Sequence, residues 1–170
     1  MRRLHILLFL VGGCAAGGHE GHHGAGTYAG QHSRDIKALS EEEVRGYLDG
    51  AGMGFAKAAE LNGYPGPMHT LEHADALSLS GAQRAAIDAL MKRHKAEVRA
   101  LGADVVRIER ELDRLFASRG ASGRAIDAKV AEAASAQAKV RASHLNAHLD
   151  TAALLTAEQR ERYDKLRGYR

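Results

Sequence analysis

IDALMKRHKAEVRALGADVVRIERELDRL, residues 87–115, places an apolar or half-apolar side chain at Ile87, Leu90, His94, Val98, Leu101, Val105, Ile108, Leu112 and Leu115. The steps alternate between three and four residues, averaging about 3.5, which is the seam of a packed helix and not a strand. The rhythm returns more thinly at Ile126, Val130, Ala133, Gln137, Val140, His144 and Ala147. Between the two runs lies Ser118-Arg119-Gly120-Ala121-Ser122-Gly123. Gly120 suits a left-handed helix end, and Ser122 can cap the helix that follows. Two arms of similar length joined by a short turn pack antiparallel. The stretch from Leu79 to Leu155 therefore predicts a long helical hairpin, and the chain is expected to be all-α with shorter flanking helices.

Composition bounds the rest. At 170 residues the chain has room for one domain with appendages. It has no Trp and only 3 Phe, and much of its apolar content is alanine, which buries little area per residue. So thin a core favours a homodimer. The formal charge of +3 includes Arg2 and Arg3. Without them the chain is close to neutral, and no basic run or aromatic platform points to nucleic acid.

Residues 1–13 read as a signal peptide: Arg2-Arg3, then an apolar run from Leu4 to Val11 too short to span a membrane. Val11-Gly12-Gly13-Cys14 resembles a bacterial lipobox, with Cys14 as the lipidated residue. Cys14 is the single cysteine and has no disulfide partner within the chain. Export is expected, with a lipid anchor in the periplasm and, because Ala15 follows the cysteine, at the outer membrane. Residues 14–39 are expected to be a Gly/His-rich tether, in which His19, His22 and His23 are candidate ligands for Zn, Cu or Ni.

Ser40 with Glu43 makes a capping box, and an N-terminal helix is expected over 40–62, weakened by Gly46, Gly50, Gly52 and Gly54. Asn62-Gly63-Tyr64-Pro65-Gly66-Pro67 breaks it. Met53, Met68, His69 and His73 cluster in sequence around this turn as a candidate soft-metal set. Thr70 is expected to open a short helix that precedes the first arm.

Two cap signatures flank the hairpin. Leu79, Ser80 and Gln83 begin the first arm, and Leu155, Thr156 and Gln159 begin the last helix. Each has an apolar residue, a hydroxyl N-cap and Gln at the third position. The second is an LTxxQ motif, and the first is the same pattern with Ser for Thr. The pair, flanking an Ala-rich hairpin in an exported chain, resembles the Spy/CpxP family of periplasmic chaperones and the related heavy-metal resistance and sensor proteins. The resemblance covers roughly 63–170. It implies a hooked helical hairpin, an antiparallel dimer, and binding of unfolded or partly folded envelope proteins without ATP. In the sensor relatives it implies metal binding through histidines and signalling to a membrane sensor protein. The lipobox, the His-rich tether and the degenerate first motif depart from the soluble chaperones.

No catalytic constellation stands out: there is no phosphate-cradling glycine loop, no CxxC and no nucleophile with its base, so no enzyme is expected and no cofactor is required. A client face is expected at Arg107, Arg110 and Arg114 with Leu112, Leu115 and Phe116. One further expectation comes from register. With the turn near Gly120, paired positions sum to about 240, which brings His94 close to His144 and His148. Three imidazoles at one level are a candidate Zn or Cu site.

Overall fold

The computed structural model describes residues 26–169. The expected signal segment, Cys14, His19, His22 and His23 lie outside the described residues. The chain divides at Gly30 into two units. In the first, Gly26–Gly30 forms a turn in which Ala29 N–H donates to the Gly26 carbonyl at 2.7 Å. The second begins with a 3-10 turn, Gln31–Ser33, and continues through α1 (Glu41–Asp49), α2 (Lys57–Glu60), α3 (Pro67–Glu72), α4 (Gly81–Ala117), α5 (Gly123–Ala153) and α6 (Ala157–Leu166). Among the described residues there is no strand.

The helices α4 and α5, of 37 and 31 residues, are the antiparallel hairpin. The seam of α4 behaves as its spacing requires: Ile87, Leu90, His94, Val98, Val105 and Ile108 are buried. On α5, Ala133, Val140, His144 and Ala147 are buried, whereas Val130 is 50% exposed. Ser122 caps α5 by accepting from Ala125 N–H. The left-handed residue of the turn is Arg119, φ 57°, and not the expected Gly120. Its Gly120 neighbour still closes the helix by donating to the Leu115 carbonyl at 3.1 Å.

Two apolar clusters stabilise the hairpin. One joins Ile36, Leu39, Tyr47, Val98, Val105, Val106, Ile108, Ala133, Ala136 and Val140. The other joins Ala74, Leu77, Leu79, Ile87, Leu155 and Tyr163. Ile36 and Leu39, 2% and 8% exposed, fall inside the span expected as tether, 14–39. Lys37 with Asp113 and Arg110 with Asp35 pair beside them, so this part of the segment packs along α4.

The expected helix over 40–62 is broken. Ser40 and Glu43 form the capping box as read, but α1 stops at Gly50, φ 59°, which a non-glycine residue there would adopt only with strain. Met53 and Gly54 also have positive φ, so the chain loops before the single turn of α2. The break falls where the chain meets α4: a Cβ on Gly50 would stand 2.5 Å from Val98 Cγ1. A Cβ on Gly102 would stand 2.1 Å from the Tyr47 carbonyl oxygen, so α1 crosses α4 backbone to side-chain-free backbone. The short helix α3 opens at Pro67, not at Thr70. Pro67 takes the first-turn position that suits a residue without an N–H, and Thr70 is buried within the helix, its hydroxyl donating to the Gly66 carbonyl at 2.7 Å.

The two cap signatures dock on each other. Ser80 and Thr156 each complete a capping box. Gln83 Nε2 then donates to Gln159 Oε1 at 2.8 Å, and Gln159 Nε2 returns a bond to Gln83 Oε1 at 3.1 Å. Gln83 also donates to the Leu154 carbonyl and Gln159 to the Leu77 carbonyl. The glutamine in each motif therefore caps its own helix and ties the starts of α4 and α6 together.

Candidate metal site

Between the two apolar clusters the seam turns polar. His94 on α4 and His144 on α5, both buried, meet with Nε2 of His94 at 3.2 Å from Nδ1 of His144. Their rings stand edge to face, centroids 4.8 Å apart. His94 Nδ1 is 3.1 Å from Ser143 Oγ, and Phe55 stacks on His144 at 5.7 Å. Burial lowers the pKa of both imidazoles, that of His144 to about 4 with the His94 and His148 charges adding to the effect and the Ala51 backbone offsetting part of it. Both are neutral at pH 7, the form that binds metals.

The pair is a hydrogen-bonded chain with two senses. When Ser143 Oγ accepts from His94 Nδ1–H, His94 Nε2 accepts from His144 Nδ1–H. His144 Nε2 then keeps its lone pair. That nitrogen is buried and has no partner at full hydrogen-bond geometry, the Ala51 backbone being the polar group that faces the ring.

His148, one helical turn beyond His144, is not part of this pair. Its Nδ1 lies 2.7 Å from the Tyr64 carbonyl, which can only accept, so Nδ1 carries the hydrogen. Glu60 Oε2 is 3.3 Å away. Gly66 admits the ring, since a Cβ there would stand 2.8 Å from His148 Nε2. The expected three-imidazole cluster is thus corrected: α5 carries His148 round toward α2 and the Pro65–Pro67 turn. Among the described residues no group of three or more His, Cys, Asp or Glu is placed to hold a metal ion.

All three imidazoles nevertheless line one cavity of about 690 Å³. Its other walls are the Gly50–Gly54 loop, α2 and the start of α3. Met53, Met68 and His69 of the expected soft-metal set also line it, whereas His73 does not. His69 Nδ1 is engaged with Glu72 Oε2 at 2.6 Å. Met91, Glu60 and Phe55 were not legible as site residues. Met91 had one available signal, its place three residues before His94 on the same helical face. Glu60 had none: its Oε1 accepts from the Tyr163 and Tyr169 hydroxyls at 2.6 and 3.0 Å, contacts made across the fold.

The expected client face is only partly free. Arg107 pairs with Asp104 and Glu111, and Arg110 with Asp35. Leu112 and Leu115 are half-buried, and Arg114 and Phe116 are exposed, Phe116 by 57%.

The sequence model of a family described as heavy-metal resistance matches residues 49–162, more than half of the chain. No curated protein and no solved structure gives a match. The matched span runs from the end of α1 into α6 and contains both arms, both cap signatures and every cavity-lining residue except Arg167 and Tyr169.

Proposed function

The chain belongs to the heavy-metal resistance family, and from that premise we propose that it captures a metal ion in the cavity between the hairpin and its N-terminal loop. The observation that carries this reading is the His94–His144 pair: two neutral, buried imidazoles side by side, with His144 Nε2 unbonded at a cavity wall. His148 lines the same cavity, its Nδ1–H held by the Tyr64 carbonyl and its Nε2 beside Gly66. The protein contributes buried donors and a loop that can close on them, and no catalysis is asked of it. The N-terminal segment fits an envelope lipoprotein anchored through Cys14, with the His-rich tether as a first, unspecific collector.

The test is a competition titration with Zn(II) and Cu(II). It uses the full chain carrying His19, His22, His23 and His32→Ala, beside the same chain with His94→Gln and His144→Gln. Ag(I) is titrated beside the two divalent ions, and the expected result is that whichever ion the first chain binds most tightly is held about ten- to a hundredfold more weakly by the second. Equal affinity in both would remove the pair from the site.

A second reading, an ATP-independent chaperone of the Spy/CpxP type acting as a homodimer, is favoured by the hairpin tip. Phe116 lies there 57% exposed and Val130, on the second turn of α5, is 50% exposed, apolar spots suited to weak, adaptable contacts with unfolded chains. It predicts suppression of client aggregation that survives removal of His94 and His144 and falls with Phe116→Ser and Val130→Ser.

A further inference from the structure

The chain has 4 methionines. Apart from Met1, all of them, Met53, Met68 and Met91, line the cavity walled by His94 and His144. Neither apolar cluster contains a methionine, so the residue is not used here as core filler. Met53 and Met68 are 40% and 48% exposed, which an apolar side chain without a task at the rim need not be. Met53 is held at φ 45°, an uncommon conformation for a residue with a side chain. Gly46 makes space for its sulfur: a Cβ at Gly46 would stand 2.8 Å from Met53 Sδ.

Charge narrows the choice of ion. The cavity is lined by Lys57, Lys95 and Arg167 against the single carboxylate of Glu60. Cationic walls repel a divalent ion twice as strongly as a monovalent one. The nitrogen and oxygen donors do not form a three-ligand set among the described residues, so a tetrahedral site of the zinc kind is not assembled from them. Thioethers complete a donor set with imidazole, and soft sulfur ligands select Cu(I).

We propose that the cavity takes a soft monovalent metal ion, Cu(I) or Ag(I), held between the thioethers of Met53, Met68 and Met91 and Nε2 of His144, with His94 orienting that ring through its hydrogen bond to Nδ1. This rests on the metal-capture reading above and names its ion. Only binding is involved, so the ion enters and leaves in the same oxidation state. A low coordination number suits the site, because such ions are content with two or three soft ligands.

The experiment uses Ag(I), which needs no reductant, and Zn(II) as the divalent control. The parent is the full chain with Cys14→Ser and His19, His22, His23 and His32→Ala, which removes the thiol and the tether imidazoles. It is compared with Met53/Met68/Met91→Leu, a volume-conserving change, and with His94/His144→Gln. The expected result is one equivalent of Ag(I) on the parent, weakened about a hundredfold by the methionine change while Zn(II) affinity moves less than about threefold. In the parent, the three methionine methyl resonances shift together at one equivalent of Ag(I), a reading that needs no variant to fold. Ag(I) affinity kept by the methionine variant, or methyl resonances unmoved at saturation, overturns the proposal. If that Ag(I) affinity is then lost in the histidine variant, metal capture stands without the thioethers. If the parent takes up neither ion, both readings fall.

Discussion

His144 is a titratable residue that burial sets well away from its ordinary chemistry. Burial holds its pKa near 4 against an ordinary 6.5. Between those values the unfolded chain takes a proton that the folded chain refuses, so stability falls as the pH drops from about 6.5 to 4 and levels off below. His94, lowered for the same reason, adds to the slope. Urea-unfolding midpoints measured across this range should show the decline, and His144→Gln should flatten it. Glu109 has the opposite sign. It is buried on α4 with only Gln137 Nε2 nearby at 3.4 Å, and burial raises its pKa. A carboxylate kept charged at neutral pH in such a place is a cost that disappears as pH falls through its raised value. Glu109→Gln should therefore stabilise the protein at pH 7, by about 1 kcal/mol, read as a higher urea midpoint with unchanged slope.

Among the elements, the crossing of α1 over α4 depends on an absent side chain. Gly102→Ala forces the Tyr47 carbonyl away and should destabilise by about 1–3 kcal/mol, the range for overpacked interfaces. Amide hydrogen exchange should show the α1 protection lost while α5 keeps its own. The reciprocal glutamines make a second element-scale prediction. Gln83→Ala and Gln159→Ala, alone and together, should couple, with the double change costing about 0.5–1.5 kcal/mol less than the sum, because either substitution alone already breaks both amide bonds. Additive losses would mean that each glutamine acts only as its own helix cap.

The hairpin was legible because two long seams with a turn between them admit one antiparallel register. His94 and His144 meet where positions sum to 238, against the expected value near 240. His148 was misread because register says which residues share a level, and not which way a helix turns them. Six of the cavity's lining residues were named from the sequence, as two separate sets, but that they share one cavity was not legible. Its walls come from Gly50–Gly54, α2 and α3 folding back over the arms. Those contacts rest on glycines at single crossing points, which leave no periodic trace in the sequence. The break at Gly50 shows the same limit: four glycines marked a weak helix, but only the close approach of Gly50 to Val98 shows what one of them accommodates.

For the whole molecule, a bound ion adds stability by mass action, about 2.7 kcal/mol at a hundredfold excess over Kd. On the proposed site it would do so by joining the Met53 loop to both arms. The measurement that tests the central claim most directly is anomalous diffraction from crystals of the Cys14→Ser, tether-histidine-free chain grown with one equivalent of Ag(I). The account predicts a silver peak in the cavity, within bonding distance of His144 Nε2 and of at least one sulfur among Met53, Met68 and Met91. Silver bound elsewhere on the chain, with the His94–His144 hydrogen bond intact and the cavity free of metal, would contradict it.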